Sequence, residues 1–81
     1  MNNYKFYSEM NAIEQHLNTF DDVYRHKQLI CEEEVRLISM CVTEQDVSMK
    51  INLVIQLFDV VNYSFHFYPK WMLLIHIYLS Y

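Results

Sequence analysis

The chain has no glycine, one proline and two cysteines in 81 residues. Without glycine it cannot build a phosphate-cradling loop or the sharp turn around a serine nucleophile. The left-handed helix terminators and tight hairpin turns that glycine favours are also missing, which predicts helices joined by polar turns. Two cysteines are too few for a disulfide framework. With so few means of making strained turns around a reaction centre, the sequence argues against an enzyme, and no cofactor is expected.

Charge is absent from one end. All ten acidic residues lie between Glu9 and Asp59, and after Asp59 the one charged residue is Lys70. The first 59 residues hold five basic and ten acidic groups, net −5, and the last 22 are net +1. Fifteen of those 22 are apolar or aromatic. Such an end belongs in a core, on a partner or in a membrane. A spanning helix needs about 20 mostly apolar residues. Pro69 and Lys70 interrupt this stretch, so an interfacial anchor is the form a membrane role would take. The net charge of −4 argues against nucleic acid as a partner.

The length predicts one small domain over residues 1–81, with the 63–81 tail packed on it, and a core of limited size. The start lacks an apolar secretory segment, so a cytoplasmic location with reduced thiols is expected. Asn, Tyr, Ile, Phe and Lys each outnumber Gly, Ala and Pro, which points to an AT-rich coding source such as a virus, a phage or a low-GC host.

The apolar residues recur at helical spacing. Phe6, Met10, Ile13, Leu17, Phe20 and Tyr24 alternate in steps of four and three, with a break expected near 18–22. Asn3 is a candidate N-cap. Cys31, Val35, Ile38 and Val42 form a second row beside Ile30, Leu37 and Cys41, together making a wide face predicted to be buried. Glu32, Glu33 and Glu34 fall largely on the other side, with Arg36 placed to pair with Glu32. Thr43 opens the next boundary as a cap, and Val47, Ile51, Val54, Phe58 and Val61 resume the four-three rhythm.

Tyr63, Phe65 and Phe67 alternate with Ser64 and His66, which reads as an extended segment ending at Pro69. Residues 70–81 fit a helix or a strand, and the helix is favoured. The fold predicted is therefore mainly α, a small bundle of three to four helices over about 4–18, 20–42, 44–62 and 70–80. An extended aromatic segment precedes the last of them, and the alternative is α+β with a C-terminal strand pair.

Candidate chemistry is sparse. His66 and His76 are ten residues apart, as are Cys31 and Cys41, and neither spacing converges ligands or thiols on one helix. Glutamates 32–34 would raise the pKa of the Cys31 thiol, the wrong direction for a nucleophile. No metal site is expected. Glu32-Glu33-Glu34 followed by Tyr68-Pro69 resembles, over those few residues, the small acidic helical immunity proteins of the colicin type. The Gly-free apolar C-terminus departs from that pattern, and no function follows from it. The partner-binding residues predicted are Tyr63, Phe65, Phe67, Tyr68 and Trp71, because aromatic side chains bury large areas at low entropy cost. The function expected is that of a non-enzymatic protein–protein interaction module, a small regulator or inhibitor that occludes a partner's surface, with a homodimer as its first partner. The alternative is a membrane-surface protein anchored by the apolar tail.

Overall fold

The computed structural model describes residues 4–80. The protein is mainly α, with three helices and no strand among the described residues: α1, Tyr4–Glu14; α2, Phe20–Thr43; and α3, Val47–Leu79. Helices α2 and α3 form an antiparallel hairpin across the short turn at 44–46, and α1 packs along α2. At about 1.5 Å per residue, the 33 residues of α3 account for the 51 Å long axis of the molecule.

The α1–α2 break falls where the sequence places it, although α1 ends at Glu14 rather than near 18. The Thr19 hydroxyl accepts the Asp22 amide at 3.2 Å, and the Asp22 carboxylate accepts the Thr19 amide at 3.0 Å, a reciprocal cap that starts α2. The Asn18 amide also donates to Asp22. This donation, with those from Thr19, holds the Asp22 carboxyl below its ordinary value. At the second boundary Thr43 is the last residue of α2 and its hydroxyl donates back to the Ser39 and Met40 carbonyls. Asp46 takes the cap expected of Thr43, accepting the Met49 amide at 3.1 Å. The N-cap expected at Asn3 lies outside the described residues.

The core follows a seven-residue period. Val23, Ile30 and Leu37 of α2 face Leu53, Val60 and Phe67 of α3, with His26, Gln56 and Trp71 buried among them. A repeat of seven keeps two helices in register as they wind around each other. Phe6, Met10 and Leu17 join this core from α1 and the turn after it.

The extended segment expected at 62–69 is helix instead, and so is the terminal segment that could have been a strand. Tyr63, Phe65 and Phe67 do alternate, but Tyr63, Phe67 and Trp71 are also four apart, and that second spacing prevails. Phe67 and Trp71 are only 8% and 4% exposed, and the two lie on either side of Pro69. Pro69 lacks an amide proton, so the Phe65 carbonyl loses its helical donor, a defect of about 3 kcal/mol in a helix interior. Packing of the flanking rings against α2 outweighs it. Pro69 itself is exposed.

Because the defect lies on the outside of a continuous helix, Pro69→Ala should stabilise the protein, by about 1–3 kcal/mol. Urea denaturation followed by circular dichroism measures this. A midpoint that does not rise would mean that the helix does not run through residue 69.

Candidate functional site

The five aromatic residues predicted to bind a partner divide between two faces of α3. Tyr63 is half-buried, Phe67 and Trp71 are buried, and Phe65 and Tyr68 are exposed. The inner three belong to an aromatic and polar cluster that joins all three helices. Its centre is His26, which has no exposed surface. The edge of the Phe67 ring and that of Trp71 lie against the imidazole, with centroids at 5.0 and 5.4 Å. Phe6 and Tyr7 of α1 pack edge-on against Tyr63.

The hydrogen bonds fix the tautomer of His26. Trp71 Nε1–H can only donate, and it donates to His26 Nδ1 at 2.9 Å. A neutral imidazole then carries its proton on Nε2, which lies 3.5 Å from the Tyr63 hydroxyl. The Tyr63 O–H in turn donates to Glu14 Oε2 at 2.9 Å. The series Trp71–His26–Tyr63–Glu14 therefore gives partners to the Trp71 and His26 ring nitrogens and to the Tyr63 hydroxyl, and links α3, α2 and α1.

Burial pushes the His26 pKa below its ordinary 6.5; Glu14 opposes the shift and Lys70 adds to it. Burial likewise holds the Tyr63 hydroxyl well above its ordinary range, reinforced by its bond to the Glu14 carboxylate. Lys27 lies 5.8 Å from the centre of the Trp71 ring, a cation–π contact at the cluster's edge. Sequence reasoning did not single out His26 or Glu14. The available signal was that His26 occupies the apolar row, three residues after Val23 and four before Ile30.

The outer residues of α3 form a second row. From Val47 the four-three rhythm runs without interruption through Ile51, Val54, Phe58, Val61, Phe65, Tyr68, Met72 and Ile75 to Leu79. At about 100° per residue, this row is turned by roughly 120–140° from the buried one. Phe58 is 62% exposed and Phe65 70%; Val54, Val61 and Ile75 are half-buried. On α2, Tyr24, Cys31, Val35, Ile38 and Val42 are turned outward in the same way, although Cys31, Val35, Ile38 and Val42 were expected inside. Ile30 and Leu37 are the buried pair, with Cys41 half-buried beside them.

The two outward rows share a face. Leu29 and Glu33 of α2 lie beside Phe6 of α1, and Tyr63 of α3 bonds to α1 through Glu14. Both outward rows lie on the opposite side of their buried stripes from these contacts, so together they cover the side of the hairpin away from α1. Arg36 pairs with Glu33, three residues before it, rather than with Glu32, and this ion pair lies on the α1 side.

Among the described residues, no group of three or more His, Cys, Asp or Glu converges as metal ligands, and no helix is long and apolar enough to cross a membrane. No protein-family model matches the chain, and no curated protein or solved structure shows significant similarity to it.

His26 is neutral in the fold and ordinary when unfolded. Stability should therefore be full above about pH 6.5 and fall as the pH drops below it toward the depressed folded value. Urea midpoints between pH 7 and pH 5 report this. Trp71→Phe removes the donor to Nδ1 and should lessen that slope while lowering stability by about 1–3 kcal/mol. A wild-type midpoint independent of pH over this interval would contradict the assignment.

Proposed function

We propose that this chain is a non-enzymatic protein–protein interaction module that works through the hairpin face opposite α1, as a small regulator or inhibitor that occludes a partner's surface. One observation carries this reading: the unbroken apolar row along the outside of α3, with a parallel row on α2 beside it. Soluble monomers rarely expose contiguous apolar area on this scale, and a patch of this kind marks an interaction site. Of the aromatic residues predicted to bind, Phe65 and Tyr68 would meet the partner. Tyr63, Phe67 and Trp71 would set the rotation of α3 that presents them.

The face is rich in the residue types that dominate interface energetics. Phe58, Phe65 and Tyr68 are aromatic, and no acidic residue interrupts the α3 row. The cluster around His26 favours a structural role over catalysis: its polar atoms are mutually satisfied.

Full-length protein used as bait should retain a stoichiometric partner, its own chain included. Phe58→Ser/Phe65→Ser should lose that partner, whereas Glu9→Gln, on α1 at the opposite side of the hairpin, should keep it. All three chains should have the same helical circular dichroism. Equal retention by all three would overturn the proposal.

A further inference from the structure

We infer that the occupant of this face is a second copy of the chain, docked with the two α3 helices antiparallel and the two-fold axis near Val61. The inference rests on the interaction-module reading and specifies its partner.

The exposed area fits a second copy. A compact monomer of 9.9 kDa is expected to expose roughly 5,200 Å². This chain exposes 5973 Å², an excess of roughly 800 Å² over that scaling. A standard-size interface removes about 800 Å² from each partner. The excess surface is what one symmetric contact would cover.

The side-chain sizes along α3 favour the antiparallel register. The outer row of α3 is graded: β-branched Val47, Ile51 and Val54 come early, whereas the larger Phe65, Tyr68 and Met72 come late. Centred on Val61, an antiparallel register sets Ile51 against Met72 of the second copy, Val54 against its Tyr68 and Phe58 against its Phe65. Small then meets large along most of the seam, which is how close-packed layers interdigitate. A parallel register would set each large ring against its own copy and leave the β-branched end underfilled.

Charge favours the same register. Each copy is net −4, but no acidic residue occupies the α3 row, so two such faces meet without like-charge contact. The antiparallel register also brings the acidic turn, with Glu44 and Asp46, to the acid-free end of the other copy, where His76 lies. The aligned helix dipoles oppose one another as well.

Sedimentation equilibrium of the full chain should give twice the monomer mass. Phe58→Lys and Phe65→Glu, each alone, should weaken association by at least about 100-fold and leave helical circular dichroism unchanged, since both positions are exposed. Mixing the two variants should restore a dimer, because the introduced lysine of one chain would face the introduced glutamate of the other in the antiparallel register only. A wild-type chain that stays monomeric at high concentration overturns the inference, while the broader reading still stands or falls on the bait experiment. Dimers of wild type with no rescue on mixing overturn the antiparallel seam. Wild-type monomers that co-sediment with anionic phospholipid vesicles, dependent on Phe58 and Phe65, would instead make a lipid surface the occupant.

Discussion

Helix α3 carries two apolar stripes, and among the described residues only α2 is long enough to cover either of them. Most other features of the molecule follow from that constraint. Helix α2 buries one stripe, α1 closes the side of that contact, and the second stripe is left outside. An 81-residue chain has too little surface to enclose both. A helix apolar on most sides usually lies at the centre of a larger fold, and here the outer stripe of α3 is exposed.

What decides which stripe goes inside is polar rather than apolar. By apolar composition alone the two rows are similar, and turning α3 by about a third of a revolution would exchange them. The inner row contains Tyr63 and Trp71, whose polar ends need partners once buried. Opposite them His26 supplies an acceptor to Trp71 and a donor toward Tyr63, and Glu14 accepts the phenol. Rotating α3 would leave His26 buried without these bonds, a loss of about 1–3 kcal/mol for each orphaned group. Buried polar groups can select one arrangement among several that hydrophobic burial would permit. The network also crosses Pro69, so Trp71 holds the last turns of α3 to α2 beyond the point where the backbone ladder is interrupted.

The mainly α class, the boundary at 18–22 and the second clean row from Val47 to Val61 were legible because they rest on local rules. The Thr19–Asp22 cap needs only four residues, and the helical period needs only a dozen. The orientation of the rows was not legible. Cys31, Val35, Ile38 and Val42 have the same spacing as a core stripe, and nothing local distinguishes them from Ile30 and Leu37. The distinction comes from His26, a residue distant in sequence from both Trp71 and Tyr63. The extended reading at 62–69 failed for a related reason. Alternation of Tyr63, Phe65 and Phe67 is a property of a few neighbouring residues, whereas the four-residue spacing of Tyr63, Phe67 and Trp71 has meaning only when α2 is there to receive it. Phe65 and Tyr68 were candidates on composition alone, as Phe67 and Trp71 were, and only the helix separates the exposed pair from the buried pair.

The charge boundary at Asp59 acquires a physical reading from the same geometry. An apolar row that ran the length of α3 with acidic neighbours at both ends would repel its own copy in any register. Confining the acidic residues to the first 59 positions leaves one end of α3 acid-free, and an antiparallel contact then joins unlike ends. Association of this kind stabilises the folded chain in proportion to its concentration, since the unfolded chain has no such face. For a domain with so small a core, the second copy would contribute to folding as well as to recognition. The outer row of α3 would then be a core residue set divided between two chains.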